Sequence, residues 1–473
     1  MMGARSTHRV IAASAVAFGV HALCFRHEDY TIDDAWIPAR VARTFLDTGL
    51  PTFDATGPLT EATSSPLWWA LHLLGLTLFP AHDPVPWLRV LGGICGVVCV
   101  ALACTTAAQS VPRGRASREA ALVTGAILVA HSGLAMHAVN GLESSAWWCT
   151  CLFGVHLWRR GDLVGITRVA CVLILLRPEG MLWGPLLAGA GAWRFKSASP
   201  LIWSIGVWVA LVSWRCSTYG EFFPNTAYAK APNLWHGLTY VTDGLLWTGG
   251  LVLILAARKA PVWVLAGAAA AAAAVVTGGD WMPGHRRLGE AQILWAVAAG
   301  VAAAHGGLSR FAAALWFALV GWEALSGQAT ARWYHAELAD VGARANRTAG
   351  VDRIAAFDVG RLGWTFDGSV HDLAGLTDRR IGHRTGAHGQ KPFDPALFDA
   401  QLPKLVVLTT TNDPSSGEPE FIRAEHAVYT HLASRDDYAF AGRKRVGSPD
   451  QLLIFVHESV PLQAAVWADW PDP

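Results

Sequence analysis

Long apolar segments separated by short polar loops occupy the chain up to about residue 329. A transmembrane helix needs about 20 predominantly apolar residues. Segments near that length recur at 8–25, 86–108, 119–137, 143–158, 163–176, 181–193, 199–215, 240–257, 261–277, 288–305 and 309–326. The pattern predicts a mainly α-helical, polytopic transmembrane domain of about eleven spans over residues 1–329. A cleaved signal peptide is the alternative for the first segment, because Arg5 and Arg9 precede its apolar residues 10–25. No small-x-small cleavage site follows, so a retained span is preferred.

One further apolar segment, residues 65–80, is short and has a proline near its start. If it does not cross the bilayer, every alternate loop is basic, as the positive-inside rule expects of cytoplasmic loops. The residues concerned are Arg5, Arg9, Arg113, Arg115, Arg118, Arg159, Arg160, Arg194, Lys196, Arg258, Lys259 and Arg310. We therefore interpret 65–80 as a juxtamembrane or re-entrant helix in a long first outer loop, residues 26–85. The N-terminus is then cytoplasmic.

The chain from residue 330 to 473 has a polar, mixed pattern. Three stretches are typical of short β-strands, "RIAAFDV" (353–359), "KLVVLTT" (404–410) and "LLIFVHE" (452–458), and residues 418–435 are typical of an amphipathic helix. We predict a small α/β domain, which the loop count places on the extracytoplasmic side. It has no GxGxxG, P-loop or CxxC motif. Two roles are left open for this domain, a structural cap over the outer loops and a lid that helps to select a large substrate.

Composition supports a membrane protein. Hydrophobic residues make up 52% and charged residues 15% of the 473 residues, and the mean hydropathy of +0.31 exceeds that of an ordinary soluble chain. The net charge of +1 gives no indication of nucleic-acid binding. All eight cysteines lie in or beside apolar segments and none follows Cys216, so we interpret them as packing residues rather than ligands or redox centres.

Acidic polar motifs lie in the loops that this topology places outside. They are "NGLESS" (140–145), "RPEG" (177–180), "YGEFFPNTAYAK" (219–230) and "GGDWMPGHRR" (278–287), and the first outer loop adds Asp33 and Asp34. A charged group at the mouth of a span is costly unless it is paired or used. Because several separate segments bring such groups to one face, the sequence predicts a functional site there.

The same motifs, in order, carry a family resemblance. They are Asp33-Asp34 with "RVAR" (40–43), "GLPTF" (49–53), "EATSSPLWW" (61–69), "GLESS" (141–145), "RPEG", "PNTAYAK" (224–230), "GGDWMPGHRRL" (278–288) and, in the tail, "DVGRLGWTFDGSVHDLAGLTD" (358–378). Over nearly its whole length the chain resembles the GT-C glycosyltransferases, and within them the AftB-like group of mycobacterial terminal arabinofuranosyltransferases. Pro38 and Ala62 depart from the family pattern. Pro38 indicates that a helix begins near it, with the acidic pair in the preceding turn.

The resemblance implies an enzyme that moves a sugar from a polyprenyl-phosphate donor to a cell-envelope glycan acceptor on the outer face of the cytoplasmic membrane. In the named group the sugar is arabinofuranose. The resemblance also implies that transfer inverts the anomeric configuration. An alcohol is a weak nucleophile, so a carboxylate must accept its proton. Adjacent carboxylates raise the proton affinity of at least one of them. Because helical neighbours point about 100° apart, we expect only one to reach the acceptor, and we favour Asp33 as the base, with Asp34 orienting it or holding a cation.

The leaving phosphate requires positive charge, for which the planar fork of arginine is suited. The candidates are Arg40, Arg43, Arg177, Lys230, His285, Arg286 and Arg287, of which we favour Arg177 and Lys230. Arg177 has an alternative role, a salt bridge to Glu179 or Glu143 that joins two spans. Asn225 and Thr226 either bind sugar hydroxyls or cap the turn after Pro224.

The remaining predicted substrate-binding residues are Glu61, Glu143, Glu179, Asp280 and Trp281. Trp36, Trp68 and Trp69 are further candidates for stacking on a sugar, although most tryptophans of such a protein lie at membrane interfaces. No HExxH or paired histidine spacing occurs, so no zinc site is predicted. A divalent cation between the aspartates and a phosphate is left open.

Two non-enzymatic alternatives are also left open. A transporter gathers carboxylates too, but transporters tend to have internal repeats and ionisable residues near the bilayer midplane, and neither is visible in this sequence. A relative that acts in envelope or flagellar assembly without transferase activity would carry the same motifs. The motifs do not distinguish a furanose donor from a hexose donor.

Overall fold

The computed structural model describes residues 2–27, 30–230, 233–247, 250–326, 335–387, 389–411, 419–421, 423–446 and 451–460. Helices account for most of these residues. In chain order they are α1 Met2–Leu23, α2 Trp36–Thr48, α3 Pro66–Leu78, α4 Pro84–Gln109, α5 Arg115–Ala130, α6 Ser132–Ala138, α7 Ser144–Arg160, α8 Leu163–Leu176, α9 Gly180–Phe195, α10 Ser199–Tyr219, α11 Asn225–Ala229, α12 Leu234–Trp247, α13 Gly250–Ala257, α14 Pro261–Val276, α15 Gly289–Ala303, α16 Leu308–Ser326, α17 His335–Arg347, α18 Gly360–Thr365, α19 Arg379–Gly382, α20 Pro395–Gln401 and α21 Glu425–Ala433.

The strands form one five-stranded sheet of order β2-β1-β3-β5-β4. They are β1 Arg353–Ala356, β2 Ser369–Asp372, β3 Leu405–Thr410, β4 Tyr438–Arg445 and β5 Gln451–His457. β1 runs parallel to β2 and β3, and β5 runs antiparallel to β3 and β4. The three predicted strands are confirmed as β1, β3 and β5. Of the predicted helix at 418–435, the structure describes α21, while part of the segment before it lies outside the described residues.

The chain divides into two compact units. The first unit comprises Met1–Tyr30, Pro86–Leu211 and Pro232–Arg332, and the second comprises Thr31–Val85, Val212–Ala231 and Trp333–Pro473. The second unit thus combines the first predicted outer loop and the loop after α10 with the C-terminal part of the chain. The predicted domain boundary near residue 330 stays a prediction.

Helices occur at each of the eleven segments predicted to span the membrane. Among the described residues, α4 and α10 are long and apolar enough to cross a bilayer. A third span results if α5 and α6, which are bent by 73° at a short break, are counted as one. The number of spans and their orientation stay predictions. α3 has 13 residues, so at 1.5 Å per residue it is too short to cross the hydrocarbon core.

Small residues allow the helices of the first unit to approach closely, as is common in membrane proteins. A Cβ atom on Gly184 of α9 would lie 2.6 Å from the carbonyl oxygen of Ala170 in α8. A Cβ atom on Gly300 of α15 would lie 2.2 Å from Thr124 Oγ1 in α5. α15 is consequently buried along nearly its whole length.

The sheet of the second unit has a hydrophobic core on each face, because successive strand residues point to opposite sides. Ile354 and Ala356 of β1 pack with residues of α2 and α17, whereas Ala355 packs with residues of α20 and α21. α2 therefore shares a core with the C-terminal part of the chain. It begins at Trp36, directly after a 3-10 turn at Asp33–Ala35, as the position of Pro38 predicts.

Candidate active site

The Asp33 carboxylate is fixed by two backbone N–H groups at the start of α18. Gly360 N donates to Oδ2 at 2.7 Å and Arg361 N donates to Oδ1 at 2.9 Å. The approach requires glycine, since a Cβ atom on Gly360 would lie 2.0 Å from the Asp33 carbonyl oxygen. Burial, together with repulsion by Asp358, raises the pKa of Asp33 to about 7, although the two hydrogen bonds oppose the shift. Asp33 therefore ionises near neutral pH.

Asp34 forms an ion pair with Lys230, which directly follows α11. The distance from Lys230 Nζ to Asp34 Oδ2 is 3.3 Å, and the two side chains are 26% and 19% exposed. These are the more accessible charges beside the buried Asp33. The ammonium of Lys230 can exchange the Asp34 carboxylate for another anion, such as a phosphate.

Asn225 holds the loop that carries Lys230. Its Nδ2 donates to the carbonyl oxygens of Gly375 and Leu376, each at 2.8 Å. That second loop is in turn shaped by the buried Asp372, which accepts hydrogen bonds from the backbone N–H groups of Ala374, Gly375 and Thr377. Thr226 is half-buried, and its carbonyl oxygen accepts the N–H of Lys230. Asn225 thus acts as a loop anchor in this arrangement.

The arginines of the "RVAR" motif are directed at backbone carbonyls. Arg40 donates to Phe366 O at 2.7 Å and to Gly368 O at 2.9 Å, and burial lowers its pKa to about 10. Arg43 lies with its Cζ atom 4.8 Å from the ring centroid of Trp364. Both arginines join α2 to the segment around α18. Their predicted contact with a phosphate stays a prediction.

Glu61 forms a buried ion pair with Arg215, a residue of α10 that the sequence analysis did not select. Arg215 Nε lies 2.8 Å from Glu61 Oε2, and Nη2 donates to Oε1 at 3.0 Å. The signal was available, because Arg215 is a charged residue within an apolar segment, where such groups usually have a partner.

Arg177 is the centre of a charge cluster in the first unit. Nη1 donates to Glu143 Oε1 at 2.8 Å, and Nε and Nη2 donate to the two oxygens of Glu179 at 3.2 and 3.0 Å. Arg287, a predicted candidate for the phosphate contact, also lies near Glu179, with 3.4 Å between Nη1 and Oε1. These contacts correspond to the alternative role for Arg177, a salt bridge that joins two helical segments.

The motif at 278–287 forms a tight turn in the first unit. Arg286 Nε is 2.7 Å from Asp280 Oδ2, and both side chains are buried. His285 has a positive φ of 52°, and its ring lies 5.3 Å from that of Tyr240. Trp281 is 43% exposed. Among these residues, Trp281 is the side chain most available to a ligand.

A cavity of about 400 Å³ lies within the first unit. One wall is the small-residue face of α14, from Ala266 to Thr277, and other apolar side chains come from α8 and α9. Polar lining is supplied by Arg177, Glu179, Arg286, Arg287 and Glu290. A mostly apolar cavity with a few convergent polar groups suits a ligand that is itself amphiphilic.

The predicted site residues are therefore divided between the two units. Asp33, Asp34, Arg40, Arg43, Glu61, Asn225, Thr226 and Lys230 lie in the second unit, and Glu143, Arg177, Glu179, Asp280, Trp281, His285 and Arg286 lie in the first. Trp36, Trp68 and Trp69 are largely enclosed by protein. In the part of the chain that the structure describes, no three His, Cys, Asp or Glu side chains lie together in a way that could hold a metal ion.

Known proteins resemble this chain chiefly in fold. Crystal structures of ArnT from Cupriavidus metallidurans, one bound to undecaprenyl phosphate and one in the apo state, match with TM-scores of 0.53 and 0.54. Sequence identities are 15% and 14%, over 94% of this chain and 97% of ArnT in each case. Residues 323–453 match a family described as a domain of unknown function (DUF8728), and no curated protein matches. The chain therefore has the fold of ArnT.

Proposed function

We propose that this chain is an integral membrane glycosyltransferase that moves a sugar from a polyprenyl-phosphate donor to a hydroxyl group of a cell-envelope glycan. Support comes from the fold, which is that of ArnT, a GT-C glycosyltransferase. One of the two ArnT structures is bound to undecaprenyl phosphate. Arabinofuranose is the donor sugar that the motif resemblance favours.

The observation that carries this proposal is the placement of Asp33, Asp34 and Lys230 together in the second unit. Displacement of a lipid phosphate by an alcohol needs a group that takes up the proton and a cation that stabilises the departing phosphate. Asp33, which ionises near neutral pH, meets the first need. Lys230 meets the second.

In the proposed reaction the acceptor oxygen attacks the anomeric carbon of the donor. Its proton passes to Asp33 as the new glycosidic bond forms, and the bond from the anomeric carbon to the phosphate oxygen breaks with its electron pair on the phosphate. A single displacement of this kind inverts the anomeric configuration. A base is most effective when its pKa lies near the working pH, and the pKa of about 7 for Asp33 meets that condition.

We assign the cavity of the first unit to part of the isoprenoid chain of the donor. On α14 the wall consists of the methyl side chains of Ala266, Ala269, Ala270, Ala273 and Ala274. An isoprenoid chain can cover these methyl groups without leaving polar groups unpaired. A photoreactive polyprenyl phosphate should therefore crosslink to peptides of α14. Crosslinking only to helices outside the cavity lining would contradict the assignment.

The proposal is tested by transfer of labelled sugar from a panel of polyprenyl-phosphate donors, including arabinofuranose and a hexose, to oligosaccharide acceptors. Purified full-length protein in lipid nanodiscs should transfer at least one sugar, and Asp33→Asn protein serves as the blank. If no donor is used, the transferase proposal fails. Flux of intact donor across proteoliposomes without transfer would instead favour the transporter alternative.

Lys230→Gln is expected to raise the KM for the donor by about 10- to 100-fold, because a hydrogen bond between charged groups contributes about 1.5–3 kcal/mol. Lys230→Arg should recover part of this loss, since the charge is retained. Lys404→Gln is the matched control, because Lys404 lies in the same unit and its ammonium donates to the hydroxyl of Ser459 at 2.9 Å. A donor KM that is unchanged in Lys230→Gln would exclude a phosphate contact.

The proposed orientation is tested by cysteine labelling in a background in which the exposed Cys24 and Cys216 are replaced by serine. Asp47 in the first predicted outer loop and Arg160 in a predicted cytoplasmic loop are both exposed. Asp47→Cys should react with an impermeant maleimide in intact spheroplasts, and Arg160→Cys only after permeabilisation. The reverse pattern would invert the proposed topology.

A further inference from the structure

The segment "DVGRLG" (358–363) surrounds the proposed base from the C-terminal part of the chain. Besides the two backbone N–H groups on Asp33, the Arg361 guanidinium carbon lies 3.9 Å from the ring centroid of Trp36, three residues after Asp33. Arg361 and Trp364 both bind Asp83, at 3.2 and 2.7 Å. α18 is therefore joined by hydrogen bonds to Asp33 in the acidic turn and to Asp83, the residue that precedes α4.

Asp358 lies two residues before Gly360, whose N–H donates to Asp33 Oδ2 at 2.7 Å, and its negative charge raises the pKa of Asp33. Its two carboxylate oxygens each accept a hydrogen bond from Arg423, at 2.8 and 2.7 Å. Arg423 also approaches Glu425 at 3.3 Å, and Glu425 accepts the N–H of Thr409. Arg423 thus partly neutralises the charge that Asp358 presents.

We propose that Asp358 and Arg423 are positioning residues for the reaction, which act on Asp33 by charge and set its readiness to accept a proton. The inference rests on the proposed function, since the role of Asp33 as base is itself proposed. Asp34 and Asp358 both act by charge on Asp33, and the N–H of Arg361 donates to its carboxylate. Lys230 is paired with Asp34. Arg423, just before α21, is paired with Asp358 and Glu425. Neither Asp358 nor Arg423 needs to touch substrate.

The two residues have opposite expected effects. Asp358 repels the ionised form of Asp33, so its removal should make Asp33 easier to ionise. Arg423 offsets that repulsion, so its removal should make Asp33 harder to ionise. A general loss of packing would move both variants in the same direction, whereas an electrostatic role moves them apart.

The test is the pH dependence of kcat in full-length protein. In Asp358→Asn the acid limb should move to lower pH by about one unit, the size of effect expected of one nearby charge. In Arg423→Gln it should move to higher pH by a smaller amount, and the double variant should lie between them. Arg435, which makes a similar two-oxygen ion pair with Asp437, supplies the matched control, Arg435→Gln, whose profile should equal that of the parent.

A readout independent of turnover separates this inference from the proposed function. Infrared titration of aspartate labelled with ¹³C in the side-chain carboxyl, with Asp33→Asn as the subtracted reference, gives the ionisation midpoint of Asp33 directly. The midpoint should move to lower pH in Asp358→Asn and to higher pH in Arg423→Gln, as expected for the acid limbs. Coinciding midpoints, or shifts of equal sign, would overturn the inference even in an active enzyme. Opposite shifts in a protein that transfers no sugar would establish the charge effect on Asp33 and assign the failure to the proposed function.

Discussion

Asp33→Asn is expected to lower the turnover of sugar transfer by about 100- to 10,000-fold, the usual contribution of a general base. Asparagine has nearly the shape of aspartate, but its side chain does not accept a proton at neutral pH. The acceptor hydroxyl then has no group to which its proton can pass. The effect should be measured as kcat with saturating donor above pH 7, where the parent Asp33 is ionised.

The pH dependence of the parent enzyme provides a second measurement of the same claim. Because burial raises the pKa of Asp33 to about 7, the rate should fall as the pH decreases through that value and the base becomes protonated. In Asp34→Asn the acid limb should move to lower pH, since one repelling charge is removed. If Asp33→Asn keeps parental turnover while Asp34→Asn is inactive, the base is Asp34.

A structural control is needed because the Asp33 carboxylate also receives the N–H groups of Gly360 and Arg361. An asparagine side chain has one accepting oxygen, so one of these donors loses its partner. Donor binding and the thermal unfolding midpoint should therefore be measured beside turnover. Retained donor affinity with lost kcat would identify a catalytic defect rather than a collapsed loop.

The helical part of the fold could be predicted because length and apolarity are local properties of the sequence. The strands that were predicted, β1, β3 and β5, are central and apolar, whereas β2 and β4 are the two edges of the sheet. Edge strands are commonly short or charged, as the sequence "SVHD" of β2 and the charged residues of β4 illustrate. α17 was overlooked although Leu338, Val341 and Ala345 repeat with helical spacing and are buried.

The residues that form the site were partly predictable, whereas the contacts between distant segments that hold them were not. A salt bridge from Arg177 to Glu143 or Glu179 was predictable as the alternative to a phosphate contact, because charges beside apolar helices need partners. No local pattern indicated that the Asp33 carboxylate would be held by N–H groups more than 300 residues later or that α2 would share a core with α17. Such contacts depend on packing between segments distant in sequence, and backbone donors leave no signature in side-chain identity.

Arg177→Gln is expected to destabilise the protein by about 3–5 kcal/mol, the usual effect of breaking a buried ion pair by removing one partner. Arg177 is 8% exposed, and it is paired with two carboxylates that are 11% and 19% exposed. Without it, Glu143 and Glu179 keep their charges in a poorly solvated place. The measurement is the free energy of unfolding in mixed detergent micelles.

Two companion variants separate this ion-pair role from a direct contact with phosphate. The double variant Arg177→Gln/Glu179→Gln should regain part of the lost stability, because it removes a carboxylate that the single variant leaves uncompensated. Arg160→Gln, at an exposed position, should change stability by no more than about 0.5 kcal/mol. Parental stability of Arg177→Gln together with a raised donor KM would instead make Arg177 a phosphate ligand.

The pH dependence of stability should follow from the same cluster. Although burial favours protonation, Arg177 and Arg287 hold the pKa of Glu179 well below its ordinary value of 4.5. A carboxyl group with a lowered pKa contributes stability above its ordinary pKa and loses that contribution as the pH falls below it. The parent should therefore lose stability on acidification below about pH 4.5, and Arg177→Gln should lose less over the same range. Equal losses in both proteins would show that the Glu179 carboxylate does not depend on Arg177.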